Sequence, residues 1–407
     1  MVTPGEALAR ILEHIPAPDA TERVPLSEAH GRRLAVPVRS DVDLPPFEKS
    51  MMDGFALASA SAAQAPARLR IRGESRAGAP FAGSVPAGEC VEIFTGAELP
   101  EGCDAVEMIE NVRRDDAWIE LERPVARGQH VSHTSEILAA GRVVYSPRRR
   151  LGAADLSVLA SCGCDPVEVF RRVRVSILTT GDELVTPRQT PARGQIREGN
   201  TYFLAAACAE LGAAIVRSAI VPDQPAALES AFRAALEDSD VLVTTGGVSV
   251  GKYDLVGAAF ERLGVEPILH KVAVKPGKPI WFGMRERTPV FGLPGNPVST
   301  LLGFELFVRA ALARLAGDEP ELERERLRRG RWLGPLERSG DRQNNLPALC
   351  RSGADGVAEL EPLAYRGSAD IVAAARAHAL VVIPALGQIR PGEMVEYRPL
   401  GSYVGNA

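Results

Sequence analysis

The stretch DVLVTTGGVSVGKYD, residues 240–254, passes from an apolar run into a loop with few large side chains. The run is typical of a buried strand, and two threonines and two glycines end it. Glycines let backbone N–H groups approach a ligand without obstruction by a Cβ atom, and successive N–H groups of this kind bind anions. The closing lysine and aspartate add a positive charge and a carboxylate suited to Mg²⁺. The stretch therefore predicts a strand that ends at an anion-binding loop.

Strand and helix patterns alternate on both sides of this stretch, from residue 173 to residue 316. RVSILTTG (174–181), for example, is predicted to be a strand, and NTYFLAAACAELGA (200–213) is predicted to be a helix. The alternation indicates parallel βαβ units, and open sheets of this type bind ligands beyond the carboxyl ends of their strands. We expect one crevice lined by three loops at strand ends: TTGDELV (179–185), TTGGVSVGKYD (244–254) and GLPGNPVST (292–300).

Composition limits the classes of function. The 407 residues carry a net charge of -5, which argues against a nucleic-acid surface as the main binding face. The chain starts with an amphipathic helix pattern instead of a signal peptide, and no apolar run reaches the roughly 20 residues that span a bilayer. The six cysteines include no CxxC pair. We expect a cytoplasmic protein with reduced cysteines and no membrane partner.

Lysines concentrate where anion binding is predicted, since four of the five fall in one short segment. KVAVKPGKPI (271–280) holds Lys275 and Lys278 in a backbone that prolines restrict, which suits a phosphate or another oxyanion. The alternative is a solvated turn with exposed lysines. In the third loop, a rigid turn puts Ser299 near a helix N-terminus, whereas the alternative is a plain connection capped by Asn296.

The acidic and glycine candidates beside these turns have ordinary structural alternatives, which the sequence leaves open. They are an Asp-Gly turn for Asp53, a first-turn helix acid for Glu183, a helix N-cap for Asp223 and Asp254, and a tight strand-to-helix turn for Gly246 and Gly247. Only convergence of the loops on one cavity would favour the functional interpretation.

Six segments, taken in order, resemble the molybdopterin molybdenumtransferase family, the MoeA and gephyrin E-domain type. They are LPPFEKSMMDGFAL (44–57), IFTGAELPEGCDAVEMIE (93–110), TTGDELV (179–185), TTGGVSVGKYD (244–254), VKPGKPIWFG (274–283) and GLPGNPVST (292–300). The resemblance covers nearly the whole chain. It implies an enzyme that inserts molybdenum from molybdate into the dithiolene of adenylylated molybdopterin, with Mg²⁺ as cofactor and AMP as the product released.

The fold that this resemblance implies is a multidomain α/β protein and a homodimer with a shared active site. A central parallel-sheet domain of the molybdopterin-binding type is flanked by mainly β domains and followed by a β-barrel-like C-terminal domain. The expected boundaries are 22–45 with 142–172 for a linking domain, 46–141 for a mainly β domain, 1–21 with 173–321 for the α/β domain, and 322–407 for the C-terminal domain.

The matching positions imply roles for individual residues. Functional positions of the family fall on Asp53, Thr95, Glu183, Asp223 and Asp254, and Pro294 and Pro297 shape the pocket. In the family, Asp53 and Thr95 reach the site from the second subunit. Asp254 is the expected Mg²⁺ ligand. The expected anion-binding set is Gly246, Gly247, Ser249, Lys275, Lys278 and Ser299.

Some residues depart from the family pattern, and other functions remain open. Phe55 replaces the usual tyrosine, and Lys252 and Tyr253 precede Asp254 where acidic or small residues are frequent. A molybdopterin adenylyltransferase is one alternative, although it would need only the central domain, and such an enzyme is also a possible partner. A non-catalytic scaffold is the other, but the chain shows no appended partner-binding domain.

Overall fold

The computed structural model describes residues 1–247, 255–318 and 326–400. The described helices are α1 (Pro4–His14), α2 (Ala153–Ser161), α3 (Asn200–Glu210), α4 (Pro225–Asp238), α5 (Leu255–Arg262), α6 (Pro297–Gly303), α7 (Arg309–Leu315) and α8 (Ile371–Arg376). The strands before residue 171 are β1 (Thr21–Val24), β2 (Val38–Arg39), β3 (Lys49–Ser50), β4 (Gly54–Leu57), β5 (Ala67–Ser75), β6 (Glu89–Ile93), β7 (Ala105–Met108), β8 (Val112–Asp115), β9 (Trp118–Leu121), β10 (Val131–Ser132), β11 (Val143–Tyr145) and β12 (Val167–Phe170). The later strands are β13 (Arg174–Thr180), β14 (Leu184–Val185), β15 (Ile196–Arg197), β16 (Ala214–Val221), β17 (Val241–Thr245), β18 (Glu266–His270), β19 (Val274–Lys275), β20 (Trp281–Arg285), β21 (Thr288–Leu293), β22 (Arg328–Trp332), β23 (Glu337–Arg338), β24 (Gln343–Ser352), β25 (Ala358–Pro362), β26 (Ala379–Ile383), β27 (Gln388–Ile389) and β28 (Met394–Pro399).

The chain divides into two compact units. The first unit is Met1–Glu22 with Phe170–Ala407, and the second is Arg23–Val169. The second unit contains a six-stranded sheet in the order β7-β4-β6-β5-β9-β8. One of its hydrophobic clusters includes Phe55, and a separate one includes Leu34. The division into four domains stays a prediction.

A six-stranded sheet forms the centre of the first unit, in the order β16-β13-β17-β21-β20-β18. The first four strands are parallel, as the alternating pattern predicts, whereas β20 and β18 run antiparallel to their neighbours. The antiparallel edge arises because β20 and β21 form a hairpin. Its turn contains Glu286 at φ +53°, so the sheet is mixed.

Helices cover both faces of this sheet. Buried apolar side chains of α1, α3, α6 and α7 lie on one face, and those of α4 and α5 lie on the other. At the start of α1, Thr3 and Glu6 form a capping box, which satisfies backbone N–H groups that the helix leaves free. At its end, the Arg314 guanidinium of α7 donates a hydrogen bond to the Ile15 carbonyl at 2.9 Å. Helix α1 therefore packs in the helical layer of the central sheet.

The C-terminal strands form the expected barrel. Strand β24 pairs with both β25 and β26, which closes β24, β25, β22, β28 and β26 into a five-stranded ring. Trp332 is fully buried in its core. All six cysteines of the chain are free, three of them buried. None of the helices given above combines the length and the apolar character that a bilayer crossing requires.

Candidate functional site

A cavity of about 510 Å³ opens at the carboxyl ends of β13, β17 and β21. The chain runs from β13 to β16 on one side and then returns to β17 on the other side of β13. The crevice therefore lies at a topological switch point, where open α/β sheets bind ligands. All three loops predicted to converge contribute to its wall, through Gly181 and Glu183, Gly246 and Gly247, and Pro294 to Pro297.

The threonines that end β13 and β17 alternate between the two faces of the sheet. Thr179 and Thr245 are register partners, and the Thr245 hydroxyl donates to the Thr179 hydroxyl oxygen at 3.2 Å. Thr180 points the other way and donates its hydroxyl hydrogen bond to the Asp223 carboxylate. Consecutive threonines thus connect the strand ends to two different walls of the cavity.

A buried polar network joins Thr179 and Thr245 to the start of α3. The Glu198 carboxylate is only 5% exposed, and it accepts a hydrogen bond from the Thr201 backbone N–H at 2.7 Å. The Thr179 and Thr201 hydroxyl oxygens lie 2.8 Å apart. The Asn200 side-chain amide lies 3.5 Å from the Thr245 hydroxyl and 2.8 Å from the Gly295 carbonyl. All three loops are therefore connected through one network, as each contributes a hydrogen-bonded group.

The two glycines after β17 are required by their conformation and by close contacts. Gly246 and Gly247 have φ of +87° and +62°. A Cβ atom on Gly246 would lie 2.2 Å from the Thr180 carbonyl oxygen. The Gly246 N–H donates to the Leu293 carbonyl at 3.2 Å, so this amide is engaged by β21 and does not face an anion. Both glycines also line the cavity, and their predicted part in anion binding stays a prediction.

The third loop is held rigidly. The Thr300 hydroxyl donates to the Pro294 carbonyl at 2.6 Å. Asn296 occupies the N-cap position of α6 but makes no side-chain capping bond, and its side-chain amide donates to the Ser368 hydroxyl at 3.0 Å. Pro294 and Pro297 both line the cavity. Ala369 lines it as well, so the C-terminal part of the chain contributes to the wall.

Acidic groups dominate the described wall of the cavity. Glu183, Glu198 and Asp223 line it, against the single guanidinium of Arg197 among its described lining residues. The Asp223 backbone N–H donates to the Asp182 carboxylate at 3.1 Å, which joins the loop after β16 to the loop after β13. Because Glu198 is buried and engaged by the helix start, the carboxylate oxygens available to a ligand or a cation are those of the exposed Glu183 and the Asp223 oxygen that does not accept from Thr180.

The predicted lysine segment lies beside the third loop. Lys275 and Lys278 are exposed, and neither is among the residues that line the cavity. Between them, a Cβ atom on Gly277 would lie 3.5 Å from the Ser299 Cβ atom. Ser299 is buried and also absent from the cavity wall. The predicted roles of these three polar side chains stay predictions.

Asp53 and Thr95, which belong to the second unit, contact each other directly. The Thr95 backbone N–H and hydroxyl both donate to one oxygen of the Asp53 carboxylate, each at 2.7 Å. These two bonds lower the pKa of Asp53 below its ordinary value, and the backbone bond makes the larger contribution. The carboxylate is exposed and stays ionised at neutral pH. Its predicted catalytic role is not tested by this geometry.

Three residues of the second loop, Ser249, Lys252 and Asp254, lie outside the described residues. Among the described residues, no cluster of three His, Cys, Asp or Glu side chains has the spacing of a metal site. Sequence reasoning missed Glu198 and Asn200. A glutamate and an asparagine in GQIREGN (194–200), ahead of an apolar helix pattern, were the available signal.

Comparison with known proteins defines the class of this chain. Residues 2–163 match the MoeA N-terminal region (domain I and II), and residues 176–314 match the probable molybdopterin binding domain. The fold and its cavity are thus those of a multidomain protein built around a molybdopterin-binding-type α/β domain. A crystal structure of the molybdopterin biosynthesis MoeA protein from Pyrococcus horikoshii is similar over 99% of this chain and all of that one, with a TM-score of 0.86 and 30% sequence identity.

Sequence relatives give the family. The chain is 32% identical to the molybdopterin molybdenumtransferase of Haemophilus influenzae over the full length of both. It is 36% identical to that of a Nostoc species over 73% of this chain and 70% of the relative. It is 33% identical to that of Bacillus subtilis over 75% of this chain and 72% of the relative. The chain belongs to the molybdopterin molybdenumtransferase family of enzymes, which confirms the resemblance seen in its six segments.

Proposed function

We propose that this chain inserts molybdenum, supplied as molybdate, into the dithiolene of adenylylated molybdopterin and releases AMP. Insertion of molybdenum during cofactor biosynthesis follows from the family. The observation that carries the proposal is the convergence of the three strand-end loops on one cavity of about 510 Å³. Pockets of roughly 300–1,000 Å³ hold small organic ligands, so this cavity can accept the pterin-nucleotide substrate.

The charge of the cavity supports a requirement for a divalent cation. The substrate and molybdate are anionic, whereas the available side chains include the carboxylates of Glu183 and Asp223. Mg²⁺ takes oxygen ligands, and it commonly binds one or two carboxylates together with substrate phosphates and waters. We propose that Asp254 holds this ion together with one of the cavity carboxylates. When bound, the ion neutralises phosphate charge and so favours departure of AMP.

Lysines and hydroxyls are the proposed holders of molybdate. The Gly246 N–H is already bonded to Leu293, so this amide is not one of the donors in the proposal. Lys275 and Lys278 provide mobile ammonium groups, and Ser249 and Ser299 provide hydroxyls. In this proposal these donors fix the oxyanion while oxygen is exchanged for dithiolene sulfur. The sulfur atoms belong to the substrate, so no protein thiol takes part.

Asp53 and Thr95 are proposed to complete the site from the second subunit of a homodimer. Thr95 fixes the Asp53 carboxylate by two hydrogen bonds, which is the preorganisation that catalytic groups require. We further propose that the enzyme works in the cytoplasm and that an adenylyltransferase delivers its substrate. The six free cysteines support a reducing compartment.

The test is an assay with purified protein, adenylylated molybdopterin, molybdate and Mg²⁺. AMP release and molybdenum content of the product are measured in parallel. The wild type should form both together, and Asp53→Ala and Asp254→Ala should each lose about 100-fold or more in rate. Asp238, the last residue of α4, has an exposed carboxylate that pairs with Arg217. Asp238→Asn removes this charge and should retain activity. Normal rates in both alanine variants would contradict the site assignment.

The same assay separates the alternatives. An adenylyltransferase would consume ATP, release pyrophosphate and make adenylylated molybdopterin instead of consuming it. A scaffold would do neither. Formation of pyrophosphate from ATP and molybdopterin, with no AMP released from the adenylylated substrate, would replace our proposal with the first alternative.

A further inference from the structure

Asn200 connects the two sides of the cavity at its floor. It is the first residue of α3 and is 9% exposed. Its side-chain amide donates to the Gly295 carbonyl at 2.8 Å and approaches the Thr245 hydroxyl at 3.5 Å. One side chain from α3 thus contacts both the last residue of β17 and the loop after β21.

The hydrogen bonds around Asn200 have a defined direction. Asn200 donates to Thr245, Thr245 donates to Thr179, and the Thr179 hydroxyl points toward Thr201 and the Glu198 carboxylate. A carboxylate only accepts, so it orients every hydroxyl before it in the chain. Such buried chains strengthen each other cooperatively. The Asn200 amide is consequently fixed as a donor toward the third loop.

The third loop depends on contacts of this kind. Gly295 and Asn296 together lie between Pro294 and Pro297, which cannot donate backbone hydrogen bonds. A Cβ atom on Gly295 would lie 3.5 Å from the Gly246 Cα atom, so the second and third loops run in close contact. Loss of the Asn200 bond leaves the Gly295 carbonyl without this donor on its α3 side. Without this bond, the loop has more freedom to move toward the cavity that it lines.

We infer that Asn200 is a positioning residue that sets the width of the substrate cavity by clamping the loop after β21 to the end of β17 at Thr245. The inference rests on the proposed function, because it assigns the clamp to that same cavity. Asn200 itself need not contact the reacting atoms. Its effect acts through Gly295 and Thr245, and it therefore changes substrate binding more than the chemical step.

The experiment compares Asn200→Asp with wild type by hydrogen–deuterium exchange and by steady-state kinetics. Aspartate has the same shape but lacks the donor, and it places a negative charge beside the Gly295 carbonyl. We expect faster exchange in the peptide covering residues 292–302 of the ligand-free protein, and a rise of about tenfold in the KM for adenylylated molybdopterin with kcat within about twofold. Tyr202→Ala, at a 62% exposed position two residues along α3, is the matched control and should change neither.

The outcomes separate this inference from the proposed function. Unchanged exchange and unchanged KM in Asn200→Asp, or a fall in kcat with KM unchanged, would overturn the clamp. Faster exchange in a protein whose wild type inserts no molybdenum would support the clamp and reject the proposed reaction. If Asn200→Asp fails to fold, Asn200→Ser removes the amide without adding charge, and the same exchange measurement decides.

Discussion

Thr179 and Thr245 face each other across two parallel strands, with their hydroxyl oxygens 3.2 Å apart at the floor of the cavity. Each is buried, at 2% and 0% exposure. Because the strands run in the same direction, equivalent Thr-Thr-Gly endings reach the same edge of the sheet. The pair therefore connects the start of α3, through Thr201 and Asn200, to the strand end that precedes Gly246.

Replacing Thr179 by valine tests how much this pair stabilises the fold. Valine keeps the shape but removes the hydroxyl that lies between Thr245 and Thr201, and it leaves buried polar partners unsatisfied. We expect the free energy of unfolding to fall by about 1–3 kcal/mol, measured by urea denaturation. Thr186→Val removes an exposed hydroxyl bonded to Gln189 and should cost less than about 0.5 kcal/mol. Equal losses in the two variants would show that the buried network contributes nothing.

Gly246 and Gly264 offer a comparison of crowded and open glycines. Both have positive φ, at +87° and +75°, but a Cβ atom meets the Thr180 carbonyl oxygen only at Gly246. Gly264→Ala should cost about 1–2 kcal/mol for its conformation alone and retain activity. Gly246→Ala should cost clearly more and abolish molybdenum insertion. Thermal unfolding and the insertion assay measure both, and similar behaviour of the two variants would refute the crowding argument.

Thr95→Val should raise the pKa of Asp53. The backbone N–H bond remains while the hydroxyl bond is lost, so the pKa moves part of the way back toward the ordinary value of 3.8. The lowered pKa contributes stability above the unfolded-state value, and this contribution is lost as the pH falls through the folded-state pKa. Thr95→Ser keeps the hydroxyl and should keep the low pKa. A carboxyl NMR titration below pH 5 measures the shift, and equal pKa values in all three proteins would contradict it.

The buried ion pair of Glu305 with Arg309 should be far more costly to break than an exposed one. Their side chains are 5% and 9% exposed, and Arg326 also contacts the Glu305 carboxylate. Glu305→Ala removes the buried carboxylate that both arginines contact, and it should cost about 3–5 kcal/mol. Glu229→Ala removes a carboxylate that pairs with two exposed arginines, and it should cost less than about 1 kcal/mol. Denaturant unfolding of both variants gives the comparison, and a small loss for Glu305→Ala would contradict it.

Sequence patterns predicted the parallel part of the central sheet because each strand there is followed by a helix of its own. They did not reveal the direction of β20 and β18. An apolar strand reads the same whether it is parallel or antiparallel, and the turn at Glu286 lacks the Asn-Gly or Asp-Gly signal of a tight hairpin. The antiparallel edge was therefore visible only in the structure.

The candidate site, like the central sheet, was predicted only in part. Glycine and proline loops at strand ends indicated the cavity, because backbone geometry depends on local sequence. Glu198 and Asn200 were missed since their partners, such as Thr179, Thr245 and Gly295, lie up to 95 residues away. The sequence also did not reveal that the Gly246 N–H bonds to Leu293, because that partner comes from another strand.

The contact between Ile15 and Arg314 joins residues 299 positions apart. A ribosome adding about 5–20 residues per second needs roughly 15–60 s to make the intervening chain. During that interval α1 leaves the exit tunnel before α7, which forms part of its docking surface, has been made. The docking of α1 is therefore completed only after α7 has been synthesised, and part of its apolar stripe stays uncovered until then.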